Sequence, residues 1–348
     1  MKNNPACAGY LPEGNHMNIL IVGLGSMGKR RARLIASMRS DCSIFGVDSS
    51  AERREEAEGK GIKAYDSIAA ALSENSIDAG LVCTAPVSHN AIITELLEKG
   101  IPVFSELNLV DDGYDRNIEL SRENNTKLFL SSTMLYRRET RYIKEQVDEF
   151  RKTGKNVNYV YHIGQYLPDW HPWENYKNFF VSNPRTGGVR EIMAIDMPWL
   201  VDVFGDIESF NVISNSVSDL ELGYPDTTML LLTHKGGTIG TLVIDVVSPK
   251  AVRNFECFGE GIHLFWEGNP KGLFKYDGET KQKEPVNTYV KYEQDPRYSD
   301  NIVETAYVDE LQDFFDMLEK DTTPLWSFEK DRKLIDLFDR IEQSGKIQ

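Results

Sequence analysis

Three glycines at a fixed spacing follow the first strongly apolar run of the chain. The run NILIV is followed directly by GLGSMG, residues 23–28, and then by the helix-like KRRARLIASM. In a turn between a strand and a helix, the first glycine permits the tight turn, the second lets the backbone approach a pyrophosphate, and the third lets the helix pack close to the strand. The spacing predicts a dinucleotide site, although other glycine-rich turns share the pattern. The residues expected to line the phosphates are Gly23, Gly25, Ser26, Met27 and Gly28.

A carboxylate follows at the distance that a dinucleotide site requires. Asp48 lies 20 residues after Gly28, directly after the second apolar run, SIFGV. A carboxylate there binds the adenosine ribose hydroxyls and repels a 2′-phosphate, so the sequence favours NAD over NADP. Arg53 and Arg54 complicate this preference, and we include Arg53 among the cofactor-binding candidates. The favoured interpretation of both arginines is a solvated helix face beside three neighbouring glutamates.

A second stretch rich in chemically active side chains is YLPDWHPWENY, residues 166–176. Aromatic faces stack on sugar rings, and carboxylates and imidazole bind sugar hydroxyls, so the composition predicts a carbohydrate pocket. A proline-bounded loop packed by its own tryptophans would carry the same residues. His171 can titrate near neutrality and is our first candidate for a general acid or base. The candidates for substrate binding here are Asp169, Trp170, Trp173 and Glu174.

The elements that would position these residues change in character along the chain. From residue 17 to about 133, short apolar strands alternate with amphipathic helices, the pattern of a doubly wound parallel sheet. From about 157, longer β-branched and aromatic runs indicate a mainly antiparallel sheet. We therefore predict an α/β Rossmann domain and an α+β domain with an open-faced, mainly antiparallel sheet. The expected divisions are a mobile leader at 1–16, the Rossmann domain at 17–135, the substrate and oligomerisation domain at 136–326, and a C-terminal helix at 327–348 that packs back on the first domain.

The composition argues against several classes of partner. The chain has 348 residues, with 54 acidic and 39 basic side chains, a formal charge of -15 and a pI near 5.0. Such a charge repels nucleic-acid phosphates and anionic lipid, and no apolar stretch reaches the roughly 18 residues that a membrane helix needs. The four cysteines are scattered, without the close pairs of a metal site. We expect a cytoplasmic protein with no metal, no nucleic-acid partner and no membrane partner.

Two further strand ends complete a family pattern. In order, GLGSMG, VDSSAER, CTAPVSH and VFSEL resemble the Gfo/Idh/MocA family of NAD(P)-dependent sugar oxidoreductases over nearly the whole chain, most strongly up to residue 138. The resemblance implies a nicotinamide held between a Rossmann domain and an open-faced sheet, and a homo-oligomer formed through that sheet. It also places Thr84, Pro86 and His89 along the cofactor path. From its position alone, His89 could equally cap the helix that follows.

The chain departs from the family pattern at two proton-handling positions. VFSELNL lies where the family commonly has a strand ending in Glu-Lys-Pro, so the resemblance places Glu106 near the nicotinamide and Leu107 at the lysine position. The second family signature is an aspartate followed four residues later by a histidine. Counting along GGVREIMAIDMPWLVDVFG puts Glu191 on the aspartate and Ile195 on the histidine, with Asp196 as the alternative register. Glu191 could orient a substrate hydroxyl or serve the packing between domains.

The segment MLYRRET follows the last predicted Rossmann strand. Tyr136 is our second candidate for proton transfer, after His171. The resemblance suggests that Arg137 or Arg138 contacts an anionic group of the substrate. A closely similar LPDWHPWE occurs in a subgroup of the family that belongs to bacterial surface-polysaccharide and nonulosonic-acid pathways.

These observations predict an NAD-dependent oxidoreductase that acts on a sugar or nucleotide sugar, in a bacterial surface-polysaccharide pathway if the subgroup resemblance holds. One alternative is a non-catalytic or non-redox relative that binds NAD and a sugar without turnover, which the apolar Leu107 and Ile195 favour. Another is a redox-neutral epimerase or lyase that oxidises and re-reduces its substrate. The sequence does not separate this last class from the first.

Overall fold

The computed structural model describes residues 16–171, 174–292 and 302–345. Almost all of the expected mobile leader lies outside these residues. The first domain contains a six-stranded parallel sheet in the order β3-β2-β1-β4-β5-β6. Its strands are β1 Met17–Val22, β2 Cys42–Val47, β3 Lys63–Tyr65, β4 Ala79–Val82, β5 Val103–Ser105 and β6 Leu128–Leu130. Its helices are α1 Ser26–Met38, α2 Ala51–Glu58, α3 Ile68–Glu74, α4 Pro86–Glu98 and α5 Tyr114–Glu123.

The central strands of this sheet are apolar on both faces because helices cover both faces. Ile19, Leu20 and Ile21 of β1 are all fully buried. The strand order in the sheet reverses between β1 and β4, and a different crossover helix follows each of these two strands. Ligands of doubly wound sheets bind at such a switch point, outside the carboxyl ends of the strands. The glycine turn after β1 lies at this edge.

The second domain is built on an eight-stranded mixed sheet in the order β14-β13-β12-β11-β7-β10-β9-β8. Within this sheet, β7 and β10 pair in parallel, and the other strand pairs of its described residues are antiparallel. The strands are β7 Asn158–Gly164, β8 Ile207–Asn215, β9 Thr227–His234, β10 Ile239–Asp245, β11 Val252–Gly259, β12 Ile262–Trp266, β13 Leu273–Asp277 and β14 Gln282–Pro285. The remaining helices are α6 Arg138–Arg151, α7 Gly188–Phe204, α8 Glu304–Lys320 and α9 Phe328–Ser344.

One face of this sheet is covered and the other is open. Trp199 of α7 packs edge-on against Tyr161, Phe255 and Trp266 of the sheet. On the opposite face, β9 alternates between buried and exposed positions, as a sheet with one solvated face should. The two-domain α/β and α+β fold class predicted from the sequence is confirmed. None of the helices in the described part of the chain is long and apolar enough to cross a bilayer.

Both C-terminal helices pack against the first domain. Phe314 of α8 lies edge-on to Phe104 and Phe129 in β5 and β6, with ring centroids 5.4 and 5.7 Å away. Asp331 of α9 accepts a hydrogen bond of 2.7 Å from the Tyr114 hydroxyl of α5. The predicted division at residue 327 assigned α8 to the second domain, whereas its aromatic side chains complete the core of the first.

Candidate active site

A cleft of about 1830 Å³ runs between the carboxyl edge of the parallel sheet and the second domain. Its lining brings together most residues that the sequence singled out. On the cofactor side these are Gly23, Gly25, Ser26, Met27, Gly28, Asp48, Arg53, Thr84, Pro86, His89 and Glu106. On the substrate side they are Arg137, Asp169, Trp170, His171, Glu174 and Glu191. Trp173 lies outside the described residues.

At each position of the turn, a different feature of the backbone or its surroundings favours glycine. Gly23 has a φ of +97°, and a Cβ there would lie 2.7 Å from the carbonyl oxygen of Cys83. A Cβ on Gly28 would lie 1.9 Å from the Gly23 carbonyl oxygen. At Gly25 the nearest atom to a Cβ is Nη1 of Arg53 at 3.9 Å, so the backbone is open to the cleft there. Because the first N–H groups of an α-helix have no acceptor within the helix, the start of α1 at Ser26 fits the pyrophosphate of a dinucleotide.

Asp48 is fixed by the backbone around it. Its Oδ2 accepts from the Leu24 N–H and its Oδ1 from the Ser50 N–H, both at 2.8 Å. Nη1 of Arg53 lies 3.5 Å from Oδ2, whereas Arg54 donates to the carbonyl oxygen of Asp48 at 2.7 Å. The two arginines therefore differ: Arg54 braces the loop after β2, and Arg53 faces the cleft beside Asp48.

His89 connects two loops at the carboxyl edge of the sheet. Its Nε2 lies 2.8 Å from the Thr84 carbonyl oxygen and its Nδ1 lies 3.0 Å from the side-chain amide of Asn108. Burial lowers the pKa of the ring, partly offset by these hydrogen bonds, so His89 is neutral near pH 7. Because a carbonyl oxygen only accepts, Nε2 carries the proton. His89 thus ties the loop after β4 to the loop after β5 and is a positioning residue.

Glu106 is held by a buried arginine that the sequence did not reveal. Arg31 of α1 is fully buried and donates from Nε to Glu106 Oε1 at 2.6 Å. Its guanidinium lies between the rings of Phe104 and Tyr307, 4.6 and 5.1 Å from their centroids. This contact supplies a positive charge behind Glu106, close to the position where the family lysine is replaced by Leu107.

The same arginine joins α1 to α8. Its Nη2 donates at 2.6 Å to Glu310 of α8, and the Ser132 N–H donates to the other oxygen of Glu310 at 2.6 Å. Burial raises the pKa of Glu310, while Arg31 acts in the opposite direction. Two carboxylates around one arginine form a buried network that depends on all three members.

Helix α7 brings Glu191 to the substrate side of the cleft. Glu191 and Ile195, one turn apart, both line the cleft. Asp196 instead points into the core, where it accepts from the Tyr161 hydroxyl at 2.7 Å and from Arg253 at 2.8 Å. The register with Glu191 and Ile195 is therefore the one that faces the cleft, and the histidine position of the family is occupied by an apolar side chain.

Glu191 has the environment of a proton-transfer group. Its Oε2 has almost no exposed surface and no hydrogen-bond partner among the described residues. Burial raises the pKa of Glu191 from 4.5 to about 8. A carboxyl group with such a pKa changes its protonation state near neutral pH.

The segment after β7 closes the substrate side with aromatic rings. The His171 ring lies 4.4 Å from the Phe179 ring, centroid to centroid, and Trp170 donates to the Gln165 carbonyl oxygen at 3.2 Å. Burial lowers the pKa of His171, and Glu174 only partly offsets this effect. His171 is therefore a neutral imidazole near pH 7, and it can donate and accept hydrogen bonds. Asp169 and Glu174 are exposed at the cleft wall.

Tyr136 and Arg137 do not match their predicted roles. The Tyr136 hydroxyl is buried outside the lining of the cleft and donates to Asp313 at 2.5 Å. Burial also raises the pKa of this tyrosine far above its usual range, which removes it from the proton-transfer candidates. Arg137 is buried against Glu139, at 2.5 Å, and donates to the Gly268 carbonyl oxygen, so its charge is compensated within the protein.

A glycine turn at the switch point of a parallel sheet, facing an open mixed sheet across one cleft, defines a two-domain dinucleotide-binding protein. Residues 17–112 match the model of the Gfo/Idh/MocA group, described as an oxidoreductase family with an NAD-binding Rossmann fold. The match covers the first domain and confirms the resemblance and the NAD-binding class there. No curated protein matches the sequence.

Solved structures share the fold over both domains. A myo-inositol dehydrogenase from Corynebacterium glutamicum has a TM-score of 0.74 at 20% identity, covering 94% of this chain and 96% of that one. An oxidoreductase from Agrobacterium radiobacter in complex with NAD+, L-tartaric acid and magnesium has a TM-score of 0.78 at 12% identity, covering 95% and 96%. A UDP-N-acetylglucosamine 3-dehydrogenase from Acidithiobacillus ferrooxidans has a TM-score of 0.69 at 17% identity, covering 94% and 97%. At such identities the likeness shows the fold.

Proposed function

We propose that this protein is an NAD-dependent oxidoreductase that interconverts a hydroxyl and a carbonyl group of a sugar or nucleotide sugar, with Glu191 exchanging the hydroxyl proton. The observation that carries the proposal is the carboxyl of Glu191, whose Oε2 has no hydrogen-bond partner among the described residues, in the same cleft as the glycine turn. Bound NAD supplies the acceptor or donor of the hydride. The residues of the chain must then hold the substrate, exclude water and move one proton.

Glu191 can serve both directions of the reaction. Its carboxylate accepts the proton of the substrate hydroxyl during oxidation, and its protonated form returns a proton to the carbonyl oxygen during reduction. A pKa of about 8 makes both forms accessible near neutral pH. Leu107 and Ile195 cannot exchange protons, so this carboxyl takes the role that the family gives to a lysine and a histidine.

In this proposal the sugar-binding wall is formed by residues 165–171 and 174–180. Neutral His171 can bind a sugar hydroxyl through one ring nitrogen, while Trp170 offers an aromatic edge and Asp169 an acceptor. His171 thus becomes a substrate-positioning residue, and the acid/base role assigned to it from the sequence passes to Glu191. The resemblance of LPDWHPWE to the polysaccharide-pathway subgroup supports a sugar substrate of that kind.

A homo-oligomer forms through the open sheet face in this proposal. Ile213 is 69% exposed there and Met229 is 51% exposed, beside other apolar side chains of the same face. Exposed apolar patches of this kind mark association surfaces. The test is the molar mass from light scattering, because a monomer at micromolar concentration would refute this part of the proposal.

The alternative is an NAD- and sugar-binding relative without redox turnover. The apolar Leu107 and Ile195 favour it, since both usual proton-handling positions are lost. The two functions differ in one observable: the alternative binds NADH tightly but does not oxidise it with any keto-sugar.

The experiment compares wild type, Glu191→Gln and Glu98→Gln in NADH oxidation against a panel of keto-sugars and nucleotide keto-sugars. Glu98 is an exposed residue near the end of α4, so the control carries the same chemical change far from the cleft. Loss of proton transfer should lower kcat of Glu191→Gln by about 10²-fold or more and leave Glu98→Gln unchanged. Equal activity of all three proteins would refute the role of Glu191.

A further inference from the structure

The residue that precedes Glu191 on α7 holds the loop after β5. Arg190 is buried and donates from Nε to the carbonyl oxygen of Leu109 at 2.6 Å. Leu109 lies two positions beyond Leu107, which lines the cleft. Because successive residues of a helix point in different directions, Arg190 contacts this loop while Glu191 faces the cleft. The first turn of α7 thus carries both a cleft residue and a contact with the first domain.

Two carboxylates of α9 fix the other nitrogens of the Arg190 guanidinium. Nη2 donates to Asp339 at 2.7 Å and Nη1 donates to Glu342 at 2.9 Å. The guanidinium also lies 5.7 Å from the centre of the Phe338 ring. Each of its three nitrogens therefore has an acceptor, in a planar and rigid fork that the ammonium of a lysine cannot reproduce. Arg190 joins α7, α9 and the loop after β5 in one arrangement.

The loop that Arg190 holds is also fixed to the parallel sheet. His89 of α4 lies 3.0 Å from the Asn108 side chain, and Asn90 of α4 donates to the Val110 carbonyl oxygen at 3.2 Å. These contacts lie on either side of the carbonyl group that Arg190 binds. The position of this loop is therefore set by the first domain, and Arg190 transmits it to α7.

A second ion pair joins the same loop to the segment before α7, but it is exposed. Arg185 contacts both oxygens of Asp112 at 2.7 Å, and each of these side chains is more than half exposed. Exposed ion pairs contribute at most about 1 kcal/mol. The buried contacts of Arg190 therefore restrict the first turn of α7 more strongly than this pair does.

We propose that Arg190 is a positioning residue that sets the distance between Glu191 and the bound dinucleotide. The inference rests on the proposed function, because Arg190 acts through the proton exchange assigned to Glu191. A dinucleotide on the glycine turn lies along the carboxyl edge of the sheet, which the loop after β5 borders. Reacting atoms must come within about 3–3.5 Å, and a shift of about 1 Å can lower the rate by about 100-fold.

The test is a double-mutant cycle on NADH oxidation, with the keto-sugar that the wild type reduces fastest. We compare kcat, KM for the sugar and NADH affinity in wild type, Arg190→Met, Glu191→Gln and the double variant. Arg190→Met should lower kcat by about tenfold or more and keep NADH affinity within about threefold of wild type. In the Glu191→Gln background, the same change should lower kcat by less than about twofold, because the carboxyl through which Arg190 acts is absent.

Two further variants separate positioning from a loss of stability. Arg151→Met removes an arginine that donates at 2.8 Å to the Val203 carbonyl oxygen, at the other end of α7 and outside the cleft lining. It should keep the wild-type kcat while its urea midpoint falls. Arg190→Lys keeps the charge beside Asp339 and Glu342 but not all three contacts, so it should fold and lower kcat by about fivefold. This variant carries the cycle if Arg190→Met does not fold.

The possible outcomes distinguish this inference from the proposed function. The inference is overturned if the Arg190 variants keep kcat within about twofold of wild type, or if the losses from Arg190→Met and Glu191→Gln multiply in the double variant. Either result leaves the proposed function standing when Glu191→Gln alone lowers kcat. Wild-type activity in Glu191→Gln, or a wild type without turnover, would refute the proposed function and this inference with it.

Discussion

Replacing Glu191 by glutamine should make the protein more stable at alkaline pH. Burial raises the pKa of Glu191 from 4.5 to about 8. Below pH 4.5 the carboxyl is protonated in both the folded and the unfolded chain, so pH has no effect through this group. Between pH 4.5 and about 8 only the unfolded chain ionises, so unfolding releases a proton and the free energy of unfolding falls as pH rises.

The size of the effect follows from the two pKa values. At 1.36 kcal/mol per pKa unit, full ionisation of the buried carboxyl corresponds to about 5 kcal/mol. Part of this free energy of unfolding is already lost at pH 6, so the further loss of stability between pH 6 and pH 9 amounts to about 3 kcal/mol. Glutamine has the same shape and no charge, and it should not show this loss.

The assay is urea denaturation of wild type, Glu191→Gln and Glu98→Gln at pH 6 and pH 9. The stability gained by Glu191→Gln over wild type should grow by about 3 kcal/mol between the two pH values, and Glu98→Gln should follow wild type. A constant difference between Glu191→Gln and wild type would refute the burial argument, because it would mean that the carboxyl ionises normally in the folded protein.

Three further predictions follow from the same contacts. Arg31→Met should destabilise the protein by about 3–5 kcal/mol in urea denaturation, because it leaves Glu106 and Glu310 buried without a counter-charge. Adding Glu310→Gln to this variant should recover part of the lost stability. Unchanged stability of Arg31→Met would contradict the network. Gly28→Ala should abolish NADH binding, measured by fluorescence, because its Cβ would lie 1.9 Å from the Gly23 carbonyl oxygen, and normal affinity would contradict the packing. His171→Ala should raise KM for the sugar without changing NADH affinity, and the loss of the proton-transfer step in its pH profile would return the acid/base role to His171.

The cofactor side of the cleft could be predicted because its signals are local. The glycine turn depends on the contact of a strand with the next helix, and Asp48 follows from the end of the next strand. Both features concern residues that are close in sequence, where spacing and steric rules suffice. The change from alternating strands and helices to longer β-rich runs likewise predicted both sheets.

The buried network around Arg31 could not be predicted because its partners are distant in sequence. Arg31 and Glu310 are 279 positions apart, and each sits in a helix whose charges look like an ordinary solvated face. Only the packing of α8 onto α1 makes both residues buried. Tyr136 was assigned wrongly for the same reason, since its hydroxyl is captured by Asp313 of that helix.

The substrate side of the cleft could be predicted from the sequence only in part. Counting along the predicted helix put Glu191 and Ile195 on the family signature, but it did not exclude the register that includes Asp196. Arg253, which binds Asp196 from the sheet, decides that register. The raised pKa of Glu191 follows from its burial in the folded protein, which no local sequence pattern reports.

The central claim is that Glu191 exchanges the substrate proton, and the pH dependence of kcat/KM for NAD+ reduction tests it most directly. In wild type, kcat/KM should rise with pH and level off above an apparent pKa of about 8, because the carboxylate is the form that accepts the proton. In Glu191→Gln this rise should disappear while NADH affinity stays within about threefold of wild type. A rise with the same apparent pKa in Glu191→Gln would contradict the account.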